Sequence, residues 1–203
     1  MNKAMKISAI ILIIILISVA VISGLIHGMM RLVALDATNA EVYETNNIDD
    51  YGSIIGNCDN DAPKEFITSF FPEKISETFS DLRYHYKAKK FDTYAYEAYL
   101  EFVIEDPVGF ETYLRDNPNT TQAVPFSYDE SYMICDFSRT MDLRRPAKEN
   151  GAYAIEYAKV GCILYNTEEQ RIIYFALGVY DGGGTDTSEL NYFFNRFGIH
   201  FSD

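Results

Sequence analysis

From Ile7 to Ile26 the chain runs for twenty residues without a charge, most of them isoleucine, leucine, valine or alanine. At 1.5 Å per residue a helix of that length spans the roughly 30 Å hydrocarbon core of a bilayer. In lipid the backbone must bond to itself, so even an isoleucine-rich segment is expected as helix. Lys3 and Lys6 precede it, whereas Arg31 alone follows before Lys64, with seven acids in between. The positive-inside rule then predicts a cytoplasmic N-terminus at 1–6, a transmembrane signal anchor at 7–26 and an extracytoplasmic remainder. The competing reading is a cleaved signal peptide and a secreted product, since Ser18-Val19-Ala20 offers small residues behind the run from Ile7 to Ile17. The apolar stretch continues past Ala20, which favours the anchor.

Residues 27–60 show no sustained period and carry Asn46-Asn47 and Asp49-Asp50-Tyr51-Gly52, so they read as an acidic tether. The folded domain is expected over 61–203. It begins with a helix that Asp61 caps and Pro63 opens, carries Phe66, Ile67, Phe70 and Phe71 on one stripe, and stops at Pro72. Two segments of period two follow. Leu82, Tyr84, Tyr86 and Ala88 alternate with Arg83, His85, Lys87 and Lys89; then Tyr96, Ala98, Leu100, Phe102 and Ile104 alternate with Glu97, Tyr99, Glu101 and Glu105. An antiparallel pairing whose residue numbers sum to 184 keeps the apolar faces together and sets Lys87 opposite Glu97 and Arg83 opposite Glu101.

Asp106-Pro107 opens a short helix with Phe110, Tyr113 and Leu114 on one side. Met133, Cys135 and Phe137 alternate with Asp136 and Ser138 as a further strand, and 144–151 reads as a loop. In the last hairpin Ala158, Val160, Cys162 and Leu164 share a face with Ile173, Phe175, Leu177 and Val179 across the 166–169 loop. Asp186 and Glu189 have capping-box spacing before Leu190, Phe193, Phe194 and Phe197, and Gly198 suits a left-handed stop. The expectation is an α+β fold: one domain with an antiparallel sheet of about five strands, covered on one face by helices.

Charge sharpens the division. The net charge of -13 conceals an N-terminal segment whose only ionised side chains are Lys3, Lys6 and Arg31, so all thirty acids fall beyond residue 35. Every aromatic residue lies there as well. Such an acidic exterior repels phosphate backbones, and nucleic acid is set aside as a partner.

Phe71-Pro72-Glu73-Lys74-Ile75, Tyr84-His85-Tyr86, Tyr96-Glu97-Ala98-Tyr99-Leu100-Glu101-Phe102, Phe110-Glu111-Thr112-Tyr113-Leu114, and the later Glu156-Tyr157-Ala158 and Ile172-Ile173-Tyr174 together form a pattern. Over residues 66 to 180 it resembles a group of membrane-attached exported proteins of Gram-positive (Firmicutes-type) gut bacteria. Many members of that group carry a lipid-modified cysteine where this chain has only an apolar anchor. The resemblance implies location and fold class, and carries over no catalytic residue.

Chemistry-bearing residues are sparse. His27, His85 and His200 have no His or Cys partner at ligand spacing, so neither a zinc site nor any other metal or cofactor is expected. There is no Gly-x-Ser-x-Gly elbow. Were the protein a hydrolase, His85 with Glu101 or Glu97 would be the first suspects; the plainer reading is a solvated histidine on a charged strand face. Cys58 falls in the tether, and Cys135 and Cys162 point to the expected core, there either to bond or to pack as small hydrophobes. Asp181-Gly182-Gly183-Gly184-Thr185-Asp186 could bring backbone and carboxylates to a ligand, but fits a flexible connection better. Sixteen tyrosines with no tryptophan invite a binding surface. Tyr99, Tyr157 and Tyr174, on faces assigned outward, are its candidates, with His85, Asp181 and Asp186. The expected function is therefore non-enzymatic binding of a protein or envelope glycan by a membrane-anchored domain; the alternatives are an envelope hydrolase or an accessory subunit of a membrane complex.

Overall fold

A computed structural model describes residue 18 and residues 22–29, 41–57, 66–90, 94–137, 158–180 and 192–199. The chain divides into two compact units, Met1–Ala40 and Glu41–Asp203. In the first, residues 22–29 are helical, with Ile22, Leu25, Ile26 and Met29 exposed at helical spacing. Among the described residues no helix is long and apolar enough to cross a membrane. Most of the expected 7–26 span lies outside them.

The second unit is α+β. Its strands are β1 (Glu41–Thr45), β2 (Phe79–Lys90), β3 (Tyr94–Ile104), β4 (Val124–Pro125), β5 (Met133–Asp136), β6 (Ala158–Asn166) and β7 (Arg171–Tyr180). They form one antiparallel sheet in the order β1-β2-β3-β7-β6-β5-β4. The helices are α1 (Tyr51–Asn57), α2 (Pro107–Asp116) and α3 (Tyr192–Arg196). Asp106 caps α2 by accepting from the Val108 and Gly109 N–H groups, and Gly198 ends the α3 turn at φ 63°, a region other residues enter at a cost.

The β2–β3 register is the expected one: Arg83 faces Glu101 and Lys87 faces Glu97, and the sum of 184 holds to Lys90↔Tyr94. It breaks at a bulge between Ser80 and Arg83, where Asp81 takes a left-handed φ of 46°. The side chains do not all follow their opposite numbers. Lys87 Nζ turns to Glu44 of β1 at 2.9 Å, and Glu97 is left for another role.

Three expectations need correction. Part of the segment read as a tether is structured: β1 pairs with β2, and α1 buries Tyr51 and Ile55. The polar residues that suggested a tether act there as local caps. Asn47 Oδ1 accepts from Asp49 N at 3.2 Å, and Thr45 Oγ1 donates to Asp50 Oδ2 at 2.7 Å. The sheet therefore has seven strands rather than about five, gaining β1 and the two-residue β4.

Both sheet faces are covered, not one. On the first lie Tyr84, Tyr96, Leu100, Phe102 and Tyr174, packed with α1, Phe66–Phe71 and α2. On the second lie Tyr99, Cys162, Leu164, Ile173, Phe175 and Leu177, packed with Phe193 and Phe194 of α3. Because Leu100 pairs with Tyr174 and Tyr99 with Phe175, the core faces read from the two hairpins look to opposite sides of the sheet. Each hairpin's supposed outer face is the other layer's interior.

The cysteines follow the same geometry. Cys135 pairs with Ile163 while Cys162 pairs with Asp136, so their side chains leave the sheet on opposite sides, and both thiols are free. The disulfide option is closed; they pack as small apolar groups, and burial pushes the Cys135 thiol up to about 11.

Candidate functional site

On the first face, the 70–80 segment and the stretch from Ile104 to Asn119, which contains α2, wall a groove of about 1150 Å³. Pro72 ends the Phe66–Phe71 turn, and Tyr51 Oη holds its carbonyl at 2.6 Å, fixing one wall. Asp106 caps and orients the helix of the other. At the base, the Tyr174 and Tyr113 hydroxyls lie 2.7 Å apart, and Asn117 Nδ2 donates to Tyr174 Oη at 2.7 Å. Phe79 stacks on Phe102 with ring centroids 3.9 Å apart, and Tyr113 meets both rings edge-on. Burial keeps both base tyrosines protonated, raising Tyr113 and Tyr174 above the usual phenol range.

The second face carries a polar network inside the core. Glu101 is fully buried and is held by Arg171 Nη1, by Arg196 Nη2 at 2.9 Å and by the Tyr99 hydroxyl at 2.5 Å. Arg171 also donates to Asp81 and Glu169, each at 2.8 Å. Asp81 reaches it because the bulge re-aims its side chain. Four residues back along β3, Glu97 is equally buried; its Oε1 accepts the Phe193 N–H at 3.0 Å and so fixes α3 on the sheet. Its Oε2 has no hydrogen-bond partner among the described residues. His85 Nε2 stands 3.9 Å from it, and His85 Nδ1 lies 2.8 Å from Asn46 Oδ1. The His85 ring stacks on Tyr192 at 4.7 Å.

Burial pushes the Glu97 carboxyl up to about 7, against the lowering effect of the Phe193 and Tyr192 N–H groups and Lys87. Burial pulls His85 down, opposed by Glu44. The two act on stability in opposite directions. Glu97, with its folded value raised from 4.5, favours the fold fully below about pH 4.5 and loses that contribution as pH rises through about 7. His85, lowered, gives stability that appears as pH rises toward 6.5. Glu97→Gln isolates the first effect: its stability relative to wild type should rise by on the order of 2 kcal/mol between pH 5 and pH 8, measured by urea unfolding. A pH-independent difference would refute this assignment.

The site residues expected from sequence are distributed as follows. Tyr99 and Tyr174 are fully buried and on opposite faces, so they form no exposed cluster. Tyr174 nonetheless contributes to the groove base. His85 is 6% exposed, not solvated, because α3 and Asn46 cover it. It meets Glu97 but not Glu101, and its contacts are with Asn46, Glu97 and Tyr192, none of them a nucleophile placed by a base. Tyr157, Asp181, Asp186, His200 and Cys58 lie outside the described residues. Among those described, no three His, Cys, Asp or Glu side chains are grouped to hold a metal ion.

Comparison with protein-family models, curated proteins and solved structures finds no match for this chain.

Sequence reasoning missed Tyr113, Asn117 and the 72–79 wall as a unit. The Asp106-Pro107 start marked the helix that carries Tyr113, but which strand it lies against depends on the β3–β7 pairing.

Proposed function

We propose that this chain is a membrane-anchored, extracytoplasmic binding protein whose ligand lies in the groove between the 70–80 segment and α2. The groove is the observation that carries this reading: it is a large concavity of the folded unit, walled by a segment tied down at Pro72 and by a helix capped by Asp106, and floored by aromatic rings and bonded hydroxyls. Ligand sites combine an apolar bed with a few placed polar groups in this manner. The anchor at 7–26 rests on the uncharged run and its flanking lysines. Binding is favoured over hydrolysis because His85 and Glu97 are engaged in fixing α3 on the far face, where the pair closes a core rather than lining a cleft.

Thr112, which lines the groove from α2, is the handle for the test. Thr112→Trp fills the groove with an indole and should abolish capture of whichever ligand an array of envelope peptides and glycans reveals, with the unfolding midpoint unchanged. Undiminished capture by the variant would overturn the groove. Alkaline-washed membranes should retain the full chain, and protease added to intact cells should remove residues 41–203. A soluble form starting near Val21, or a protected domain, would overturn the anchor.

A further inference from the structure

We infer that the groove is built for an extended peptide bearing lysine or arginine side chains; this rests on the binding reading above and specifies its ligand. The first observation is how the carboxylates are distributed. Of the far-face carboxylates, Glu101 is engaged with Arg171 and Arg196, Asp81 and Glu169 with Arg171, and Glu44 with Lys87. In the groove lining, Asp106 is occupied as the helix cap and Asp116 pairs with Arg115 at 3.2 Å. Glu73, Glu77 and Glu105 also line it, are exposed, and have no ion-pair partner among the described residues. Lys74 is the one cation of the described lining. Arg83, Lys87, Arg171 and Arg196 thus sit against acids outside the groove, and its lining holds three carboxylates that no described cation pairs.

The second observation is the groove itself. At about 1150 Å³ it stands at the top of the roughly 300–1,000 Å³ range of small-molecule sites and has room for an extended occupant. Its bed is apolar and aromatic, with Phe71, Phe79 and Tyr113 in the lining. Lysine and arginine side chains suit such a section: the alkyl stem lies on the apolar bed and the charged head reaches the carboxylates of the rim. Glu73 and Glu77 lie on one wall and Glu105 begins the other, so cationic heads can be met from both sides. A neutral glycan would use the aromatic bed but leave the three carboxylates without a counter-charge. The thirty acids beyond residue 35 against fourteen bases add a long-range field that steers cations toward this unit.

The test uses the full chain in lipid nanodiscs and fluorescence anisotropy of labelled octalysine, with octaglutamate and a chitin oligosaccharide as comparison probes. Octalysine should bind, weaken with added salt, and lose at least tenfold in affinity in Glu73→Gln/Glu77→Gln/Glu105→Gln. Glu130→Gln/Glu168→Gln, which removes two exposed acids outside the groove, should bind as wild type does. Thr112→Trp should abolish binding. If the outer pair of substitutions weakens octalysine as much as the groove set, the attraction is a property of net charge and the inference fails. If Thr112→Trp blocks the oligosaccharide or octaglutamate while the triple variant leaves that binding intact, the groove stands and its cationic ligand does not. If Thr112→Trp affects no probe that binds, both readings fall.

Discussion

Arg171→Ala should cost about 3 to 5 kcal/mol of folding stability, the range for stripping one partner from a buried ion pair. Glu101 has no solvent to turn to, and Arg171 supplies one of its contacts while tying Asp81 and Glu169 to the same point. Arg196→Ala should cost less, about 1 to 2 kcal/mol, because its side chain is 31% exposed and it makes a single contact to Glu101. The decisive comparison is Glu101→Gln/Arg171→Met. Removing the charges together should recover more than half the loss, since the cost lies in a buried carboxylate left with only Arg196 and Tyr99 rather than in attraction forgone. Urea unfolding of the four proteins reads this directly. A loss below about 1 kcal/mol for Arg171→Ala would show that Arg196 and Tyr99 already suffice for Glu101.

Gly178→Ala should cost less than Arg171→Ala but still be damaging, despite adding one methyl. Gly178 of β7 pairs with Tyr96 of β3, and the Tyr96 ring folds across the glycine. A Cβ there would stand 1.9 Å from Tyr96 Cε1, inside any tolerable contact. The ring must leave a site where it is 2% exposed. Overpacking of this kind costs about 1 to 3 kcal/mol, and in a unit of this size each kcal/mol lowers the melting temperature by roughly 2–4 °C. The double variant Gly178→Ala/Tyr96→Leu should regain part of the loss, because leucine withdraws the ring that clashes. An unchanged melting temperature for Gly178→Ala would mean that the ring has an alternative bed.

Local pattern carried most of the fold. The period-two runs fixed β2 and β3 and their register from Arg83 to Lys90, though not the bulge beyond it, and Asp106-Pro107 and Gly198 marked helix boundaries through their own backbone chemistry. What the pattern could not convey was which hairpin lies beside which. That depends on the β3–β7 pairing, between residues far apart in sequence, and it decides that both faces are interior. Ile172 to Leu177 is an unbroken apolar run, which suits a strand buried on both sides. Taking one alternating set within it as the core turns Tyr174 outward, as the Tyr96–Ile104 alternation does Tyr99. The candidate site was less legible for the same reason. Tyr113, Asn117 and Tyr174 meet only after the hairpins join, and Glu97 looked like a surface charge until α3 was laid over it.

The β3–β7 seam has a kinetic consequence. Each hairpin, β2–β3 and β6–β7, can form from nearby residues, but neither has a complete core on either side until the two meet. Closing the seam pays the loop entropy of everything between them. The rate of acquiring native structure should therefore follow the encounter of two preformed hairpins, and a chain cut before β6 would keep α1, Phe66–Phe71 and α2 over one face of β2 and β3 but lack β7 and α3, leaving Glu97, Tyr99 and Glu101 without their cover.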